Sequence, residues 1–368
     1  MRALVFTLGL LVALAGTAHA YPQYQLSRDQ MCTSCHLSPA GGGLLTENGL
    51  NTADVTSQWG TNPEFMYGKL DLPSWLALGG DLRAMGGYQQ APQRYLTAFP
   101  MQGDLYATAT LDNFSAHATV GFRPAQTGNE AATHVYAREH YIQWQDDPSL
   151  NEGIYIRIGH LMPVFGLRLA EHPVYTRRYG GTQLFSETYG ATASYIKEKY
   201  EAHASGFIVD PLMDGVRREN GAALYGEMRV RPTTQIGAGA MLEANDWNRK
   251  YRGVITAKHY LEKPGITFLA ELQLVSPAVG STRWKQLTGY LMSSYALTDA
   301  VLLDLGLGHH DENIEVKNLD RNSVDLNVHW FVTSHFEALL VSRYERIGIT
   351  GDGGGNGAWV MLQGHYRL

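Results

Sequence analysis

The sequence predicts an all-β fold, an antiparallel barrel that crosses a membrane with about sixteen strands and follows a small N-terminal segment. From Trp75 onward, segments of about ten residues alternate apolar with polar side chains, and helical periodicity is nearly absent. The connections between these segments alternate between short and long. Beyond the N-terminal region, no apolar run reaches the roughly 18 to 20 residues of a membrane-spanning helix. Strands are therefore expected to meet the membrane.

The first predicted element is a secretory signal at residues 1–20. It has a basic Arg2, an apolar stretch over 3–14, and small residues Ala18 and Ala20 before the expected cleavage point. This order is typical of a signal peptide. The mature chain is expected to begin directly after it, outside the cytoplasm.

The composition narrows the classes of function. The 368 residues include 40 glycines, 21 tyrosines and two cysteines, and the net charge is −6. Two cysteines are too few to build a disulfide framework in an exported protein of this size. The charge is too mild to favour nucleic acid, so no nucleic-acid partner is expected.

The second predicted element, residues 21–73, contains the motif CTSCH. Cys32 and Cys35 are the two cysteines of the chain, and His36 follows at once. Covalent attachment of c-type haem needs two thiols spaced to meet the two vinyl groups and a histidine that reaches the iron. The motif therefore predicts one covalent haem c, with His36 as an axial ligand of the iron.

Other uses of the motif explain fewer of its residues. A redox or disulfide pair leaves His36 unexplained and lacks the expected βαβ context, and a zinc site would need four ligands. A segment this short needs a cofactor or a docking surface to complete a core. Met66 is the candidate sixth ligand, because no other methionine stands between the motif and Pro73. A histidine from the barrel or an open site is the alternative.

The third predicted element is the barrel, residues 74–368. In the segment 300–308, Leu303 and Leu305 share one face and Leu302 and Asp304 the other. The expected strands cover 74–89, 103–112, 114–124, 133–146, 153–162, 189–197, 199–208, 220–231, 234–244, 250–261, 265–276, 284–296, 300–308, 321–332, 336–346 and 357–368.

The turns between these strands predict the orientation. Every second connection falls on one side and most of these are tight, for example Asp112-Asn113, whereas those on the other side, such as 90–102 and 125–132, are mostly longer. Short periplasmic turns and longer external loops are typical of outer-membrane barrels. The longest connection, 163–188, is a candidate for folding into the lumen, or else a solvated surface loop. Folded inward, its arginines would line a constriction: Arg168, Arg177 and Arg178.

The remaining motifs carry weaker signals. The run HHDENIE at 309–315 offers metal ligands on the outer surface, although exposed loops are commonly this polar. GDGGGNG at 351–357 lacks the Lys-Ser/Thr of a phosphate loop and is interpreted as a loop tip. No catalytic residue is assigned.

A signal, one CxxCH near the mature N-terminus and a porin-sized barrel together resemble the fused monohaem cytochrome–porins of bacterial outer membranes. The best known of these serve iron oxidisers. At motif level the resemblance rests on Cys32, Cys35 and His36. Leu37 to Ala40 then run into three glycines, where aromatic and proline residues are expected in the iron-oxidising members. Extracellular iron is therefore one candidate donor among others.

The resemblance implies electron passage between the cell surface and a periplasmic carrier such as a cytochrome c. It implies outer-membrane lipid around the barrel, both termini in the periplasm, and electron transfer rather than substrate conversion, with iron oxidoreduction as one form. The alternative is a diffusion porin in which the haem segment is a plug, sensor or cap. Ion conductance separates the two, because a plugged conduit conducts poorly.

Overall fold

The chain folds as a closed antiparallel barrel, as the sequence predicts. The computed structural model describes residues 22–90, 94–123, 134–171, 173–183, 185–211, 219–348 and 354–368; the predicted signal at 1–20 lies outside these residues. Sixteen long strands and one two-residue strand form a single sheet. The first and last strands pair with each other, with Asp81 opposite Arg367, and so close it.

The strands follow the sequence in order around the barrel. They are β1 (Leu76–Gln90), β2 (Arg94–Leu111), β3 (Phe114–Arg123), β4 (His134–Gln145), β5 (Gly153–Leu161), β6 (Thr188–Lys197), β7 (Tyr200–Phe207), β8 (Asn220–Arg231), β9 (Thr234–Ala244), β10 (Asn248–Leu261), β11 (Ile266–Val279), β12 (Thr282–Arg283), β13 (Gln286–Thr298), β14 (Val301–Asp311), β15 (Asp320–Thr333), β16 (Phe336–Ile347) and β17 (Gly355–Arg367).

The two faces of the sheet meet different surroundings. In β14, Leu305 is 48% exposed on the outside, whereas its neighbour Asp304 is 1% exposed on the inside. The described buried side chains are largely polar, and the described exposed ones include long rows of leucine, valine and isoleucine. This arrangement suits a barrel with lipid outside and a polar lumen inside. The period-two pattern of the sequence thus indicates which side chains face outward and which face the lumen.

The predicted connection 90–102 is wrong. β2 begins at Arg94, and it pairs with β1 as far as Gln90. The register shifts between Arg83 and Ala84, whose partners are Gln102 and Pro100. A bulge that leaves one residue unpaired breaks the alternation, and it also accommodates a proline within a sheet. Period-two patterning therefore did not reveal the first part of β2.

The N-terminal segment enters the lumen at the end that carries the short turns. It contains the helices α1 (Tyr24–Ser27), α2 (Cys32–Cys35) and α3 (Glu47–Val55) and a 3-10 helix (Phe65–Gly68). No helix among the described residues is long and apolar enough to cross a membrane.

Contacts with the barrel wall hold this segment in place. The buried Tyr24 packs against Leu302 and Phe331, and Nζ of Lys258 donates to Oε1 of Gln25 at 2.5 Å. At the rim, Thr33 Oγ1 donates at 2.5 Å to the carbonyl of residue 151 in the β4–β5 turn. The segment is thus docked on lumen-facing residues of several strands.

The described residues of the connection between β5 and β6, 162–171, 173–183 and 185–187, fold into the lumen, as one of the two sequence interpretations expected. The connection carries the short helix α4 (Tyr175–Tyr179). Its side chains pack with lumen-facing residues of β11 and β13 in one apolar cluster: Leu167, Leu169, Val174, Leu269, Tyr290 and Met292. We call residues 162–187 the inward loop.

A charge on the outer face at mid-depth should destabilise the barrel. Leu305 lies near the middle of β14 and faces outward, so Leu305→Arg should lower the free energy of unfolding in lipid vesicles by about 2–4 kcal/mol. Leu297 is also exposed but lies next to the turn that ends β13. Leu297→Arg, the control, should cost about 0–1 kcal/mol. Equal costs at both positions, measured by urea unfolding, would contradict the depth assigned to these residues.

Candidate functional site

The CTSCH motif forms one helical turn followed by a tight excursion of the chain. The backbone N–H of His36 donates to the carbonyl of Cys32 at 2.9 Å, and His36 then bridges to Leu45. The turn between them contains three successive residues with positive φ, a conformation open mainly to glycine: Gly41, Gly42 and Gly43. The three glycines after the motif therefore have a local structural reason.

Helix α3 packs against the CTSCH motif. The backbone N–H of Thr46 donates to the carbonyl of Cys35 at 3.0 Å, and Thr46 Oγ1 accepts from the N–H of Gly49 at 3.1 Å as an N-cap. A Cβ added to Gly49 would collide with the carbonyl oxygen of Cys35. A glycine is therefore required where α3 crosses the motif.

The thiol of Cys35 is buried and that of Cys32 is half-buried. Cys35 is 4% exposed, and its Sγ lies 2.8 Å from Oε1 of Gln30. Nε2 of Gln25 donates to Sγ of Cys32 at 3.2 Å. Burial raises the pKa of Cys32 to about 11 and also raises the pKa of Cys35. Because the thiolate is the reactive form, these pKa values disfavour a thiol–disulfide redox pair.

The motif faces a cavity inside the lumen. Cys32, Cys35 and His36 line this cavity, whose volume is about 380 Å³ and which lies between the N-terminal segment and the inward loop. The loop contributes an apolar side: Val164, Phe165, Leu167 and Leu169. The volume lies in the ordinary range for small-molecule and cofactor sites. We call this space the lumen cavity.

Charged side chains of both signs line the lumen cavity. The cationic ones are Arg83, Arg138, Arg168, Arg177, Lys258 and Arg367, and the carboxylates are Asp81, Glu139 and Glu187. Arg138 is paired with Asp104 at 2.9 Å and with Glu187 at 2.6 Å. Arg168 pairs with Glu201, and its Nη1 lies 3.5 Å from the carbonyl of Pro39. Of the three arginines expected at a constriction, Arg168 and Arg177 line the cavity, and Arg178 is exposed.

The donor set and the lining fit a c-type haem. Such a group needs two thiols and an imidazole on one side, and Cys32, Cys35 and His36 face the same space. Its ring requires apolar surroundings and its two propionates require hydrogen-bond donors or cations, because buried charges need partners. The inward loop and the lumen arginines supply both.

The structure does not bring Met66 to the lumen cavity. Met66 is 43% exposed within the 3-10 helix, and it is not among the lining residues. Its neighbour Tyr67 contacts His335 at the short-turn end, with ring centroids 4.1 Å apart. The number of residues between the CTSCH motif and Met66 did not predict where Met66 lies in the fold.

Met162 is a lining residue that sequence reasoning missed. It stands at the start of the inward loop and borders the lumen cavity, and its Sδ accepts a hydrogen bond from Ser186 Oγ at 3.2 Å. The sequence feature that could have identified Met162 is its position directly before Pro163, at the start of the connection that was expected to fold inward. His365 also borders the cavity, but carboxylates face both of its ring nitrogens: Glu337 at 3.1 Å and Asp81 at 2.6 Å.

Comparisons with known proteins identify the fold. No family model and no curated protein sequence matches the chain. A loop-deletion variant of OmpT, an outer membrane protein of Vibrio cholerae, is 13% identical, with a TM-score of 0.62 over 80% of this chain and 99% of that one.

Two further solved structures are similar to a comparable degree. An anion-selective porin from Comamonas acidovorans is 12% identical, with a TM-score of 0.60 over 80% of this chain and 99% of that one. OprB of Pseudomonas putida is 9% identical, with a TM-score of 0.59 over 80% and 94%. At these identities the similarity shows a barrel of the outer-membrane porin type, the fold that the sequence predicts.

The close crossing of α3 and the motif generates a testable prediction. Gly49→Val should push α3 away from Cys35 and loosen the docked segment, since overpacking costs about 1–3 kcal/mol. Trypsin cleavage after Arg28 in the folded protein should become several-fold faster. Asn51→Val, at an exposed position of the same helix, is the matched control and should leave the rate unchanged. Unchanged cleavage in the Gly49 variant would contradict the packing described.

Proposed function

We propose that this chain is an outer-membrane barrel that carries one covalently attached haem in its lumen and passes electrons between the cell surface and a periplasmic carrier. One observation carries the proposal: Cys32, Cys35 and His36 line a cavity inside the barrel rather than lying on a separate domain below it. When bound, haem supplies a one-electron couple at its iron. The direction of transfer is left open.

The residues of the chain have separate roles in this proposal. Cys32 and Cys35 attach the group through thioether bonds, and His36 binds the iron. Arg177 borders the cavity and donates to backbone carbonyls of the inward loop, and it would offset part of the charge of the propionates. Arg168 and Lys258 also border the cavity but are paired with Glu201 and Glu227. The inward loop supplies apolar contacts and restricts access of water, which is one means by which a protein sets the potential of a haem.

The position of the CTSCH motif inside the lumen matters for electron transfer because of the thickness of the membrane. The hydrocarbon layer is about 30 Å thick, which is too far for a small domain held wholly in the periplasm to connect the two sides. A redox centre within the barrel divides that distance. In this proposal both termini face the periplasm, because the N-terminal segment enters at the short-turn end and such turns are periplasmic in outer-membrane barrels.

A diffusion porin is the second candidate, with residues 21–73 acting as a plug, sensor or cap. The similarity to porin structures favours it. The cationic side chains around the lumen cavity are also what an anion pathway needs. The docked segment and the inward loop count against it, because both occupy the lumen.

Electron flux and ion conductance distinguish the two candidates. Liposomes that contain the purified protein, enclose oxidised cytochrome c and face an impermeant ferrous chelate outside should reduce the enclosed cytochrome. Each ferrous ion gives one electron, and each enclosed cytochrome accepts one. Cys35→Ala should abolish haem staining of the denatured band, and Cys35→Ala and His36→Ala should each reduce the flux at least tenfold. Ser34→Ala, which keeps both thiols and the histidine, is the matched control.

The same preparations test the porin. In planar bilayers the intact protein should conduct ions poorly under this proposal. If the cysteine variant supports the same electron flux, or if the intact protein passes small solutes freely and no electrons, the porin candidate is correct and the electron-transfer proposal fails.

The position of Met162 generates a prediction about the sixth ligand. If its thioether binds the iron, Met162→Leu should remove the long-wavelength absorption band of a methionine–iron bond and lower the reduction potential, because methionine–histidine ligation raises it. Met66→Leu is the matched control and should change neither. A spectrum that changes in the Met66 variant alone would return the assignment to Met66.

A further inference from the structure

A second cluster of potential ligands lies inside the barrel, outside the lining of the lumen cavity. It consists of Glu171 from the inward loop, Asp304 from β14 and His329 from β15, with one ligand atom of each within 4.8 Å of the others. Asp304 and His329 are each 1% exposed. The inward loop and two consecutive strands thus bring two carboxylates and an imidazole to one buried point.

The distances within the cluster suit a small cation. Nε2 of His329 lies 3.1 Å from a carboxylate oxygen of Asp304 and 3.9 Å from one of Glu171. Two ligand atoms bound at about 2.0–2.2 Å to one ion stand roughly 3 to 4.4 Å apart. The two distances fall in that range, so both carboxylates and Nε2 can reach a common ion with little movement.

The second ring nitrogen of His329, Nδ1, contacts a carboxylate. Nδ1 of His329 lies 2.8 Å from Oε1 of Glu337, whose second oxygen lies 3.1 Å from Nδ1 of His365. A carboxylate that accepts the Nδ1 proton fixes the tautomer and leaves Nε2 as the ligand atom, an arrangement that recurs at histidine metal sites. Glu337 therefore orients His329 toward Asp304 and Glu171.

The cationic groups near the cluster act mainly on its edges. The carboxylates of Glu171, Asp304 and Glu337 face the imidazole of His329. Arg177 acts on Glu171, and His365 lies between Glu337 and Asp81. Arg83 and Arg367 act instead on Asp81, at the far end of the hydrogen-bonded chain through His365. Oδ1 of the buried Asp304 has no hydrogen-bond partner among the described residues. A buried carboxylate oxygen without a partner is costly, and a cation would supply one.

We propose that Glu171, Asp304 and His329 bind one divalent first-row transition-metal ion within the lumen. One nitrogen and two oxygen donors suit zinc, manganese or cobalt better than magnesium or calcium, for which all-oxygen sites are usual. Three protein ligands leave room for water, as in many catalytic zinc sites. Because Glu171 belongs to the inward loop, the ion fastens that loop to β14 and β15. This proposal uses no residue of CTSCH and stands independently of haem.

Cobalt and zinc test the site in the full-length untagged protein. After removal of adventitious metal by a chelator, the folded barrel should bind one equivalent of Co²⁺ and develop visible absorption typical of mixed nitrogen and oxygen ligation. Glu171→Gln lies in the loop and should leave the barrel folded, and it should weaken binding at least tenfold, as should Asp304→Asn. Glu337→Gln should weaken binding 10- to 100-fold, the usual effect of removing a carboxylate that orients a histidine ligand.

The outer histidines provide the matched control. His309 lies at the long-loop end of β14 and belongs to the HHDENIE run, so His309→Gln should leave one equivalent of Co²⁺ bound. Zinc should also slow protease cleavage within the inward loop in the wild type and not in Glu171→Gln. Binding lost in the His309 variant and kept in Glu171→Gln, or no stoichiometric binding by the folded wild type, would overturn the proposal.

Discussion

Closure of the hydrogen-bond ladder in a medium without water is the constraint from which the rest of the structure follows. Inside a bilayer each backbone N–H and C=O must find a partner in the protein, so a sheet can span it only as a closed barrel. Here β17 supplies that partner to β1 from Asp81 through Gln90. Sixteen strands, once closed, enclose a space wider than their own side chains can fill. The interior must therefore hold water, folded segments of chain, or both.

Segments from both ends of the barrel occupy this interior. The N-terminal segment enters from the short-turn end and the inward loop from the other, and they meet where Ala40 packs against the cluster that contains Val164 and Phe165. Polar groups hold them to the wall, as in the contact of Lys258 with both Gln25 and Glu227. Such buried ion pairs contribute little net stability, but breaking one is costly. They therefore fix where each segment docks.

The sequence predicted the structure correctly where the type of each residue depends only on the surroundings of that residue. Alternation between Leu305 and Asp304 follows from lipid on one side and the lumen on the other, so strand limits were predictable to within a few residues. The same logic failed at Pro100, where a bulge interrupts the alternation. The lumen cavity could not be predicted, because Met162 and His36 border the same space only after the inward loop has folded. The cluster at Glu171 was hidden for the same reason, since its three ligands come from three elements.

Burial of the motif also constrains the order of assembly in the haem proposal. Cys35 is 4% exposed in the docked segment, and burial raises the pKa of both thiols. Neither condition suits covalent attachment, which requires a porphyrin to approach the two sulfur atoms. Under the haem proposal, residues 21–73 would receive haem while they are still outside the lumen, and the barrel would close around them afterwards. A group attached in this order would be held both by its thioether bonds and by the barrel wall that later surrounds it. The contacts that dock the segment would then also keep the proposed cofactor inside the barrel.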